Sequence, residues 1–155
     1  MYQTSGYAPL SACLVSEPVV AVLRAGSAQL GPFNHGYTYS GHPVAAAAAL
    51  ANLAIFERES LVERAERTGE NLQRRLRASC AGHPKLRDVR GVGMIAAVEP
   101  RDPDDAKRLQ TLLLADGVIT RAVGGAVAMA PPLILGEAEV DEILSALRRA
   151  LDKLT

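Results

Sequence analysis

The chain has 155 residues, 48% of them hydrophobic and 22% charged, with 17 basic and 17 acidic side chains that cancel. This is the composition of one folded domain, or of a piece of a larger one, and it excludes an intrinsically disordered chain. Zero formal net charge disfavours a phosphate-neutralising nucleic-acid binder, and no apolar run approaches the ~20 residues that cross a membrane.

In chain order, residues 6–16 read as a turn followed by a short buried strand. Glu17 to Arg24 reads as a short helix, with Ser16 as its cap and Pro18 in its first turn. Residues 25–42 are rich in Gly, Ser and aromatics, too interrupted for a regular element. An Ala-rich helix is predicted from Pro43 to Arg58. A second is predicted from Ser60, which forms a capping box with Glu63. Leu61, Ala65, Leu72 and Leu76 line its apolar face, and Glu63/Arg67 and Glu70/Arg74 are spaced to pair on its solvent face.

Asp88 to Glu99 reads as a strand or hairpin arm broken by glycines. Asp102–Asp116 reads as a helix stopped by Gly117, and residues 118–123 and 126–130 as two strands around the Gly124-Gly125 turn. The last helix, Glu137 to about Leu154, has its acids in the first turns and Arg148, Arg149 and Lys153 near its end, as the helix dipole prefers. This order predicts a layered α+β or α/β domain.

Arginine outnumbers lysine fourteen to three, the lysines being Lys85, Lys107 and Lys153. There is no Trp, and all six aromatics fall within the first 56 residues, so the remainder must build its core from aliphatics or borrow a partner surface. Cys13 and Cys80 match no metal spacing and are too few for a disulfide scaffold. No metal site is expected. The N-terminus has no secretory pattern, and a reducing, cytoplasmic compartment is the default expectation.

Two places carry candidate chemistry. His35-Gly-Tyr-Thr-Tyr-Ser-Gly-His-Pro43 sets hydroxyls, phenols and imidazoles just before a helix, where free N–H groups and the positive dipole end suit an anion. Alternatively the loop only caps the helix through Ser40, which is the commoner arrangement. Arg121 lies in the apolar stretch 118–123, expected to be largely buried. It either meets an anionic ligand such as a carboxylate, or packs its stem and sends its head to solvent or to a structural acid. His42 and His83 each precede Pro and read as loop or cap residues. Gly91-x-Gly93 lacks the third glycine and the helix of a dinucleotide fingerprint.

Taken together, Gly6-Tyr-Ala-Pro-Leu-Ser-Ala, His35 to Val44, Asp88-Val-Arg-Gly-Val-Gly-Met, Arg121-Ala and Ala130-Pro-Pro-Leu-Ile-Leu resemble the C-terminal part of class III aminotransferases. These are fold-type I enzymes that use pyridoxal 5′-phosphate. Thr-Tyr-Ser-Gly-His-Pro resembles the ω-amino acid or amine:pyruvate branch. The resemblance covers nearly the whole chain in order. It implies an α/β, aspartate aminotransferase-like fold, with residues 1–85 as the end of the large domain and 86–155 as a small α+β domain. It also implies a homodimer acting on an amine or amino acid and a 2-oxo acid, with no nucleic acid and no membrane. Thr38 resembles the threonine that binds the cofactor phosphate of the neighbouring subunit, with Tyr37 beside it in the same loop. Arg121 resembles the arginine that takes the substrate carboxylate and swings away for apolar substrates.

Three departures accompany the match. Met1 stands where the family has its Schiff-base lysine, with Met1-Tyr2-Gln3 in place of Lys-Gly-Leu. Gly125 stands where the family usually has Asp, and the stretch from Glu99 to Arg121 is short. The chain is therefore expected to be a fragment that lacks a catalytic residue and is inactive alone. The alternative from another class is a non-catalytic dimerisation or interaction module, and a third reading is a simple anion-binding domain using the Thr38 loop.

Overall fold

A computed structural model describes residues 4–154; Met1 and its expected catalytic equivalence lie outside the described residues. The chain forms two compact units, divided between Glu59 and Ser60.

The first unit holds two helices, α1 (Glu17–Leu30) and α2 (Pro43–Arg58). The strand expected within residues 6–16 does not form; these residues are irregular and nearly all exposed, with no neighbouring strand to take up their N–H and C=O groups. Helix α1 begins at Glu17 with Ser16 at the cap position as expected, though the Ser16 side chain makes no cap bond; its carbonyl accepts from Val19 and Val20. The helix runs past Arg24 through Gly26 and Ser27, because a single helical glycine costs only ~1 kcal/mol, and stops where Gly31 turns to φ +88°. Helix α2 has the expected limits.

The second unit is a four-stranded antiparallel sheet with helices packed against it. The elements are α3 (Leu61–Cys80), β1 (Leu86–Val92), β2 (Ile95–Pro100), α4 (Asp105–Ala115), β3 (Arg121–Val123), β4 (Ala126–Met129) and α5 (Glu137–Asp152). Strand order is β1-β2-β4-β3, which places β1 and β3 at the two edges. Helix α3 contacts β1 and α5, so this unit begins one helix before the 86–155 segment expected from the resemblance.

The core is built from Leu72 and Leu76 of α3, Val98 and Val127 of the sheet, Leu109 and Leu113 of α4, and Val140 and Leu147 of α5. Leu61 and Ala65 lie on the expected face of α3. Two details of that helix differ from expectation. Ser60 sits in the left-handed region (φ +45°) and makes no capping bond, because it is consumed in the tight link from α2. Arg74 donates to Asn71 Oδ1 rather than to Glu70.

Where α3 crosses the β1–β2 turn, no side chain fits between the backbones. A Cβ on Gly69 would lie 2.4 Å from the carbonyl carbon of Gly93. One turn further along, Gln73 Nε2 donates to the carbonyls of Gly93 (3.2 Å) and Ile95 (2.8 Å) and fixes the hairpin to the helix. The Gly124-Gly125 turn joins β3 to β4 with both φ angles positive (56° and 81°), the geometry that matches strand twist in a two-residue hairpin.

Candidate functional site

The Thr38 loop is a compact turn. Ser40 N–H donates to Tyr37 O (2.9 Å), and Tyr37 N–H donates back to Ser40 Oγ (3.0 Å). Ser40 thus closes the turn and does not cap α2. The cap is His42, whose Nδ1 accepts from Ala45 N–H at 3.4 Å, as its place before Pro43 suggests. This trims the anion site expected there. Pro43 has no N–H and Ala45 has spent its own, so Val44 keeps the remaining donor of the first three positions. Thr38 itself is exposed at the tip of the turn, and among the described residues no hydrogen bond engages its hydroxyl. Tyr37 is 78% exposed, with the His35 ring edge-on to it at 5.7 Å. His83 is likewise a loop residue, its Nδ1 accepting from Lys85 N–H.

Arg121 opens β3, an edge strand of three residues, and is exposed rather than buried as expected. Arg121 lies in the row of Ala128 and Ala97, on the sheet face opposite the buried row of Val127 and Val98. The register carries one row across the whole sheet: Arg90 opposite Ala97, Ala97 opposite Ala128, and Ala128 opposite Arg121. Directly opposed residues share a face, so two arginines flank two alanines on one side of the sheet, about 14 Å apart at three strand spacings.

The two arginines differ in what holds them. Arg90 is bound to Glu99 and lies 3.6 Å from Asp88, and Arg87 donates to the other oxygen of Glu99 (2.9 Å). The hydrogen bond from Arg90, with help from Arg87, holds the Glu99 carboxyl below its ordinary range despite some burial. Arg121 has no hydrogen bond or ion pair among the described residues. Of the two, Arg121 is the one open to a ligand's carboxylate.

The backbone around Arg121 is more constrained than its side chain. Gln110 of α4 donates from Nε2 to Thr120 O (3.1 Å), and its Oε1 accepts from Ala122 N–H (3.4 Å). Nothing local in the sequence marks Gln110, since the contact spans ten residues and depends on α4 packing over the edge of β3. Cys80, also buried in this unit, has its thiol pushed up to about 11 by burial. Among the described residues, no three His, Cys, Asp or Glu gather as a metal site, and no helix is long and apolar enough to cross a membrane.

A family model described as aminotransferase class-III matches residues 2–151. A diaminobutyrate–2-oxoglutarate transaminase of Halomonas elongata is 44% identical over 98% of this chain and 35% of its own length. A putrescine–pyruvate aminotransferase of Pseudomonas aeruginosa is 38% identical over 97% of this chain and 34% of its own. The chain therefore spans about a third of the curated relatives it matches. Among solved structures, a thermostable omega transaminase mutant from Pseudomonas jessenii superposes with a TM-score of 0.92 at 41% identity, covering 99% of this chain and 36% of that one. The omega transaminase of the same species in complex with PMP gives 0.91 at 41% identity, covering 97% and 35%.

Proposed function

The chain belongs to the class-III aminotransferases, and on that premise we propose that it supplies two receiving groups of a transamination between an ω-amino acid or amine and a 2-oxo acid such as pyruvate. The relatives named above act on diaminobutyrate with 2-oxoglutarate, and on putrescine with pyruvate. Pyridoxal 5′-phosphate is the cofactor of the family, and when bound it carries the amino group and draws off electron density from the substrate carbon.

The described residues fit one end of that cofactor. The Thr38 hydroxyl and the Val44 N–H at the start of α2 suit a phosphate, with Tyr37 beside them. The aldehyde end has no match. Residues 4–59 contain no lysine, and Lys85, Lys107 and Lys153 are exposed on or beside elements of the other unit. No chemical step on the cofactor is therefore assigned to these residues.

Arg121 carries the reading. A guanidinium with no partner among the described residues, beside Ala128 and Ala97 in the same row, offers a planar fork that a substrate carboxylate matches bidentately. The same lack of a partner lets it move aside for a substrate that has no carboxylate. The test is equilibrium binding of pyruvate to the purified chain, with acetone as the uncharged analogue. Pyruvate binding that acetone does not reproduce, lost in Arg121→Ala at unchanged stability, is the expected result. Equal pyruvate binding by the variant counts against the role.

A second reading rests on its own observation. Leu14 and Leu30 are 98% and 90% exposed, and α1 buries none of its residues. Such surface favours association, as in the family homodimer or a non-catalytic interaction module. Sedimentation separates them: stable oligomers formed without cofactor support the module, and a cofactor-dependent dimer supports the enzyme.

A further inference from the structure

We propose that Gln110 is a positioning residue for Arg121, a role that rests on the reading of Arg121 as the carboxylate receptor. Strand β3 pairs with β4 on one side only. Along a strand the N–H and C=O groups of successive residues point alternately to opposite edges, so the groups of Thr120 and Ala122 share one edge. Arg121 sits between them. The Gln110 amide meets both, donating to Thr120 O and accepting from Ala122 N–H, and so replaces the peptide unit that a further strand would have supplied. These two contacts also fix the orientation of the amide, since exchanging its oxygen and nitrogen would set donor against donor and acceptor against acceptor.

The backbone carrying Arg121 is therefore clamped from both sides, by β4 through the Arg121–Ala128 pairing and by α4 through Gln110. The guanidinium, in contrast, has no tie of its own among the described residues. This division suits an arginine that must change direction between substrates yet return to one place: a fixed Cα with a free side chain. Arg90, at the other end of the same row, has the opposite arrangement, with its guanidinium held by Glu99. Only side chains with a donor and an acceptor at this reach can bridge Thr120 and Ala122, so glutamine length and amide chemistry are both required. Gln110→Asn leaves the amide one methylene short, and Gln110→Glu keeps the bond from Ala122 N–H while losing the one to Thr120 O.

Nuclear magnetic resonance on the full chain tests this, comparing wild type with Gln110→Ala and Gln110→Glu. The readouts are Ala122 amide exchange, the order of the Arg121 Nε–Hε group, and the shift of that group on adding pyruvate, with α5 amides as an internal reference for global stability. In Gln110→Ala, Ala122 exchange rises about fivefold or more relative to α5, as expected for one lost backbone hydrogen bond. Arg121 order falls, and the pyruvate concentration at half-response rises about two- to fivefold, the scale of a loosened binding group. Gln110→Glu retains Ala122 protection and gives an intermediate Arg121 response. Unchanged Arg121 order and pyruvate response in Gln110→Ala overturn the positioning role. A wild-type Arg121 that ignores pyruvate, while its order still depends on Gln110, leaves the clamp standing and overturns the carboxylate-receptor reading.

Discussion

Residues 60–154 and the described residues before them are made from similar aliphatic stock and reach opposite states. The later unit closes a continuous core without a single aromatic residue, by setting α3 and α4 against the sheet and α5 against both helices. The earlier unit holds every aromatic of the chain, yet among its described residues only Thr4, Ala45, Ala49 and Asn52 are buried. An apolar side chain becomes a core residue only when another surface lies opposite it. Arg121, proposed to receive a carboxylate, stands on the later unit, and Thr38, proposed to meet a phosphate, on the earlier one.

That contrast can be broken or sharpened by experiment. Thiol labelling has the largest expected effect. At pH 8 a thiol pushed up to about 11 is only ~10⁻³ thiolate, and Cys80 is also shielded by the core. Exposed Cys13 is expected to react at least ~100-fold faster, the gap closing once urea unfolds the later unit. Similar rates in native chain would show that this unit is not closed.

Core truncation comes next. Leu147→Ala, at a fully buried site, is expected to cost about 2–5 kcal/mol in urea unfolding, whereas Leu14→Ala in the earlier unit stays within ~0.5 kcal/mol. Glycines sharpen the point. Gly69→Ala forces a methyl into the Gly93 backbone and is expected to cost about 1–3 kcal/mol, while Gly26→Ala, with open space around it in α1, gains up to ~1 kcal/mol of helix stability. A neutral Gly69→Ala would mean that α3 does not press on the hairpin as described.

The smallest effect concerns pH. Glu99 has its folded-state pKa lowered by Arg90 and Arg87, so its contribution is full above the ordinary carboxylate range. It is lost as pH falls through that range toward the lower folded value. Glu99→Gln is expected to flatten the acid limb of the stability curve and leave the neutral-to-alkaline part unchanged in shape. An acid limb as steep as wild type would assign that dependence to other groups.

Much of this was legible in the chain itself. The 3.6-residue spacing of leucines placed α3 and α5, and the alanine run placed α2, because each pattern is strong and local. The paired glycines located the β3–β4 turn for the same reason. The strand expected in residues 6–16 does not form, because its apolar run has no partner edge among the described residues. Ser60 failed as a cap because a two-residue link between helices forced it into a left-handed conformation. Arg121 stands out as a lone charge in an apolar run, and the resemblance gives it a role; its exposure differs from expectation, since an apolar run does not reveal that the strand is short and lies at an edge. Gln110 could not be found at all from spacing, because its bonds exist only once α4 lies over β3.

The most direct test of the central claim, that this chain holds receiving groups for both substrate and cofactor but not the reacting amine, is a trapping experiment. The purified chain is incubated with pyridoxal 5′-phosphate and reduced with borohydride. Labelled lysines are then located by mass spectrometry, with pyruvate-dependent deamination of an ω-amino acid assayed in parallel. The account predicts sparse labelling spread over Lys85, Lys107 and Lys153, with no turnover. Stoichiometric labelling of one lysine, together with turnover, would contradict it.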